Sequence, residues 1–88
     1  MRVRVKFLGS LKPPNMHRVV DVELPASSNL ITLIQNISEK YPEIADSLRS
    51  PSGNLIMFEG IEVGNLEGLA TLLKEGSEVV LIPVTHGG

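Results

Sequence analysis

Apolar and polar residues alternate from the start of the chain. Val3, Val5 and Phe7 share one parity and Arg2, Arg4 and Lys6 the other, which predicts a half-buried strand over Arg2–Leu8. Gly9 to Met16 carries Gly9, Ser10, Pro13, Pro14 and Asn15, a turn composition. The alternation resumes over Arg18–Leu24, with Val20, Val22 and Leu24 opposite Asp21 and Glu23. Antiparallel pairing of these strands sets the basic outward face of the first beside the acidic outward face of the second. Such opposite-charge pairs are each worth a few tenths to about 1 kcal/mol and help to fix the register of an opening hairpin.

The period then changes from two to that of a helix. After the loop Pro25–Asn29, Leu30, Leu33, Ile34, Ile37 and Tyr41 form one apolar stripe. Ser28 is the expected N-cap, and Pro42 stops the helix because proline disfavours helical geometry at the residue before it. Glu43–Arg49 reads as a further short helical turn and Pro51-Ser52-Gly53-Asn54 as a tight turn. Leu55–Phe58 is a third strand, Ile61–Val63 a brief fourth, and Gly64 breaks it. Leu66, Leu69 and Leu72 recur at every third residue, which predicts a short helical turn tucked against the core. Lys74-Glu75-Gly76 turns into a last strand over Val79–Ile82. One helix can cover only one face of a sheet, so this order predicts an α+β domain. Its mixed sheet of four to five strands wraps around one main helix, with the first and last strands parallel and central.

Composition adds exclusions. At 88 residues, 42% hydrophobic and 20% charged, the chain is sized for one core. A net charge of −2 with no basic block or aromatic platform argues against nucleic-acid binding. No cysteine is present, which removes disulfides, a catalytic thiol and cysteine-based metal sites. With no run long enough to span a bilayer and no signal pattern, a cytoplasmic protein without membrane partners is expected.

The chain as given ends in Gly87-Gly88, beyond Pro83, Val84, Thr85 and His86. A glycine carboxylate enters narrow channels and approaches another backbone closely because nothing branches from its Cα. Together with Leu66-Glu67-Gly68-Leu69, Thr71, Leu73-Lys74-Glu75-Gly76 and Glu78-Val79, this ending resembles the ubiquitin-like sulfur carriers. That group includes the small subunit of molybdopterin synthase, the thiamine sulfur carrier, the ubiquitin-related modifier and the small archaeal modifier proteins. The resemblance implies a β-grasp fold over residues 1–84, with residues 85–88 as a flexible tail. Molybdopterin synthase small subunits approach their diglycine through a proline-rich segment and a small residue; here His86 stands before the diglycine. Thr85-His86-Gly87-Gly88 is more similar to the ubiquitin-related modifier ending, whereas Leu66–Gly76 is closer to the molybdopterin side.

The resemblance further implies a carrier rather than an enzyme. An E1-like partner using ATP adenylates the Gly88 carboxylate, and a sulfur donor converts it to a thiocarboxylate. The sulfur then passes to a tRNA uridine or a pterin precursor, or the activated carboxyl forms an isopeptide bond with a target-protein lysine. Gly87 and Gly88 are thus the activation site, and Thr85 and His86 the residues a partner would read. One alternative is the small subunit of molybdopterin synthase with its large subunit as partner; another is an interaction module with no tail chemistry. No bound cofactor and no catalytic side chain are expected.

A docking face is also legible. Leu55 and Met57 share parity with Glu59, which points them away from the helix and turns Ile56 and Phe58 inward. Val79 and Leu81 are placed inward, partly by analogy with the family. The outer face then carries Leu55, Met57, Val80 and Ile82, an apolar patch of the kind that marks a binding surface. The remaining candidates read as ordinary surface. His17 and His86 lack partners at metal-ligand spacing. Glu39, Glu43 and Asp46 form a solvated face, and Lys6, Lys12, Lys40 and Lys74 are surface lysines.

Overall fold

A computed structural model describes residues 1–8, 18–42 and 54–83. The elements run β1 (Arg2–Phe7), β2 (Val19–Glu23), α1 (Leu30–Lys40), β3 (Asn54–Phe58), β4 (Ile61–Glu62) and β5 (Glu78–Pro83). Single 3-10 turns at Val63–Asn65 and Gly68–Ala70 separate β4 from β5. All five strands form one sheet in the order β2-β1-β5-β3-β4. β1 and β5 are parallel neighbours and the other pairs are antiparallel, the arrangement expected from the element order together with the resemblance. Residues 9–17 and 43–53, with the turns expected there, lie outside the described residues.

The opening hairpin pairs as its charges require. Arg2 stands opposite Glu23 and Arg4 opposite Asp21, with ion pairs of 3.1 and 3.4 Å. Lys6 reaches Glu78 on β5 at 3.6 Å. These side chains are largely solvated, so each pair contributes a few tenths to about 1 kcal/mol; their main effect is on register. The other parity of β1 supplies Val3, Val5 and Phe7, all fully buried. They meet Val22, Val79 and Leu81 from the neighbouring strands and Leu30, Leu33 and Ile37 from α1 in one aliphatic core. Each such side chain contributes roughly 1.5–3 kcal/mol through removal from water. Tyr41 closes the far end of the helix, its ring edge-on to Phe7 at 6.2 Å and 81°.

Two sequence expectations are corrected. The N-cap is Asn29, not Ser28: the Asn29 side chain accepts from the Thr32 backbone N–H at 3.1 Å. Ser28 is instead buried, and its hydroxyl donates to the Pro25 carbonyl at 2.7 Å. The reason is tertiary. The Leu73 N–H donates to the Ser28 carbonyl, and the Leu30 N–H to the Thr71 carbonyl, so Ser28 and Asn29 are held alongside residues 71–73 and the helix starts one residue later, at Leu30.

The second correction concerns Leu66, Leu69 and Leu72, which are 40%, 47% and 61% exposed rather than core. Within residues 66–72 only Gly68–Ala70 form a 3-10 turn. The segment from Thr71 is extended, bridged through Leu72 to Asn29. Alternation there turns Thr71 and Leu73 inward, both buried, and sends Leu72 out. The expected cost of Asn29→Ala is about 1 kcal/mol, the loss of one helix cap; urea unfolding followed by circular dichroism measures it.

Candidate functional site

The docking face predicted from sequence is built by register. On the outer side of the sheet Leu55 stands opposite Ile82 and Met57 opposite Val80. Directly opposite residues on one face of an antiparallel pair hold their Cβ atoms about 4.5–5.5 Å apart, so the four side chains make one apolar square. Each is half-buried, because each shields its neighbours. On the inner side of the same strands, Phe58, Val79 and Leu81 are buried and Ile56 packs against the core, as the parity argument required. The four residues are thus brought together, and none belongs to the core.

The square is framed by charge. The row through Met57 and Val80 runs on to Glu62 on one side and to Lys6 and then Val19 on the other. Lys6 is tied to Glu78. Two further apolar residues extend the patch toward the hairpin. Val19 is 47% exposed and pairs with Lys6, and Leu8 is 40% exposed, with its N–H donating to the Leu81 carbonyl. Sequence reasoning left both out, although Leu8 shares parity with Lys6 and Val19 with Asp21. The Ile82–Leu55 pair lies next to Pro83, so the patch stands where the chain leads into residues 84–88.

Thr85, His86, Gly87 and Gly88 lie outside the described residues, as do His17, Lys12, Glu43 and Asp46. Among the described residues no group of three or more His, Cys, Asp or Glu is placed to hold a metal, and no helix is long and apolar enough to cross a membrane. Lys40, Lys74 and Glu39 are exposed.

The chain resembles solved structures over nearly its whole length. It is similar to the small archaeal modifier protein 1 (SAMP1) from Methanosarcina acetivorans, with a TM-score of 0.81 and 22% identity, covering 99% of this chain and 96% of that one. Urm1 from Trypanosoma brucei superposes with a TM-score of 0.74 at 22% identity, covering 99% and 95%. The fold is the ubiquitin-like β-grasp. A chain in the complex of subunits 1 and 2 of the molybdopterin-converting factor from Helicobacter pylori 26695 shares this β-grasp with a TM-score of 0.64, 22% identity and full coverage of both chains, 100% each. No family model matches the sequence, and no curated protein matches it. The likeness read from Leu66–Val79 and the diglycine is therefore met at the level of the fold.

Because Met57 lies on the outer face of the β-grasp sheet, Met57→Asp has a small expected cost. It places a second carboxylate opposite Glu62, for about 1 kcal/mol or less. Leu81→Asp, on the inner face, would unfold the domain. Thermal melts of the two variants distinguish the faces, and a collapse on Met57→Asp would move that residue into the core.

Proposed function

We propose that this β-grasp protein is a ubiquitin-like sulfur carrier or protein modifier that works through the Gly88 carboxylate. The observation that carries this reading is the coincidence of a diglycine end with a β-grasp body whose apolar square lies at the last strand, beside Pro83. Residues 1–84 act as the body, and residues 85–88 as a flexible tail that it holds out.

A free carboxylate is a poor acyl donor because its leaving group would be oxide. An E1-like enzyme transfers AMP from ATP to the Gly88 carboxylate, releasing pyrophosphate. Sulfur from a donor then displaces AMP to give the thiocarboxylate. A bare Cα at Gly87 and Gly88 lets the acyl carbon reach the adenylating site in a productive geometry. Thr85 and His86 supply side chains for the partner to read, while Leu55, Met57, Val80 and Ile82 dock the body. The protein brings no acid, base or nucleophile of its own and binds no cofactor; ATP is used by the activating partner. The acceptor is a tRNA uridine or, for the activated carboxyl, a lysine of a target protein, and the setting is the cytoplasm.

One observation favours a second reading. The Leu66–Gly76 stretch resembles the molybdopterin side of the group, and the fold is shared with a chain of a two-subunit molybdopterin-converting factor. In that case a large subunit would co-purify with the native protein.

Intact mass on protein from its native cell, and after incubation with ATP, an activating enzyme and a sulfur donor, is the deciding measurement. The mass is expected to rise by the exchange of one oxygen for sulfur at a terminus formed by Gly88. Deletion of Gly88 or Gly88→Val abolishes the gain and leaves the melting temperature unchanged. Charging of the deletion variant, or a native chain that continues uncleaved past Gly88, would overturn the proposal. A terminus that never gains sulfur or joins an amine would leave a β-grasp interaction module without tail chemistry.

A further inference from the structure

The two margins of the apolar square differ in charge. Toward β1, Lys6 pairs with Glu78 at 3.6 Å, Arg4 with Asp21 at 3.4 Å and Arg2 with Glu23 at 3.1 Å. Each basic side chain of that strand therefore has a carboxylate of its own. Toward β4 stands Glu62. It is paired with Met57 across β3–β4, which sets it on the same outer face as the square, and it is half-buried. Among the described residues Glu62 forms no ion pair. Lys6 lies three strands away in the order β4-β3-β5-β1, about 14 Å at the usual strand spacing, too far for an ion pair. Of the other described cations, Arg18 donates to the Phe7 carbonyl. Lys40 ends α1, which packs on the inner face, and Lys74 lies in the turn before β5.

The Glu62 carboxylate is also held in place. A carbon added at Gly64 would lie 2.6 Å from Glu62 Oε2 and 3.2 Å from its Oε1 and Cδ. The carboxylate thus lies over the bare Cα of Gly64, in the turn after β4. Gly64 is not among the glycines with positive φ, so this turn needs space from it rather than conformational freedom. A carboxylate at the edge of an apolar patch is a seat for a cation, and its two oxygens match a guanidinium. A partner covering Met57 with apolar groups alone would strip Glu62 of water and return nothing.

We propose that Glu62 selects the partner that docks on the square. That partner's surface is apolar over Leu55, Met57, Val80 and Ile82 and seats an arginine or lysine on the Glu62 carboxylate, beside Met57. The inference rests on the reading of the square as the docking face of the activating enzyme and adds the chemistry of the surface that fits it. The apolar side chains supply area, and the carboxylate supplies sign and orientation. Because the β1 margin is already paired, the cation sits at one end only and fixes which way round the partner lies. Gly64 acts as a positioning residue through Glu62. A second copy meeting square to square would offer Glu62 only the β1 cations of that face, which are paired. A copy offering Lys40 or Lys74 would do so from another surface, and such head-to-tail contacts build rings or open chains.

The test is the affinity of the full chain for a purified E1-like activating enzyme, measured by calorimetry without ATP so that docking is read apart from Gly88 chemistry. Glu62→Gln keeps the shape and removes the charge. It should weaken binding about tenfold, with the gap narrowing as salt rises and the melting temperature unchanged. Glu62→Lys should weaken it further. Gly64→Ala keeps the charge but displaces the carboxylate, and it should weaken binding without loss of stability. If Val80→Ser weakens binding while Glu62→Gln binds like the unaltered chain, the inference falls and the docking face stands. If the unaltered chain does not bind, or Val80→Ser binds as well as it does, the docking face falls and the inference with it. Sedimentation showing rings or chains of this protein that Glu62→Gln disperses would assign the cation to a second copy and overturn the proposal.

Discussion

Parallel pairing of β1 with β5 joins the first strand of the chain to the last and seats both beneath the helix. Val5 faces Val79 and Phe7 faces Leu81 across this ladder, and all four are fully buried. A parallel pair has no connecting hairpin, so the whole intervening chain forms the crossover between its two strands. The turn into β5 assists. Lys74 and Ser77 bond to each other twice, and Gly76, with φ +79°, and Ser77 fasten to Arg2 and Arg4 on β1. Ser77 is itself buried with its hydroxyl satisfied. The outer square depends on this ladder, since Val80 and Ile82 face outward only while Val79 and Leu81 are held in.

The sheet thereby separates two kinds of surface. Its outer face presents a patch beside the end of β5, bordered by paired charges on the β1 side. The opposite side, past the start of β5, presents Leu66, Leu69 and Leu72, each exposed. The two surfaces do not overlap.

Much of this was legible in the sequence because strands with one wet face declare themselves. The alternation in Arg2–Phe7 and Val19–Glu23 gave the hairpin, its charge ladder and its buried side, and parity with Glu59 oriented Leu55 and Met57. The failures arose where distant backbone decides local form. Ser28 and Asn29 are both competent caps, and only the bridge to Leu72 selects Asn29. Leu66, Leu69 and Leu72 have helical spacing, but the same bridge pulls residue 72 into an extended segment and hands the interior to Thr71 and Leu73. Leu8 and Val19 carry the outward parity of Lys6 and Asp21, but their place on the patch follows only from the pairing of β1 with β2 and β5.

The β3–β4 hairpin turns on Glu59 and Gly60, both with positive φ, 51° and 82°, the pair of left-handed residues that a type I′ turn demands. The strand beyond it is over after two residues, Ile61 and Glu62. That leaves a sheet margin too short to template an incoming strand. Recognition on this flank is consequently confined to side-chain chemistry: main-chain augmentation, with its indifference to sequence and its drift toward fibres, is closed off by a single early turn.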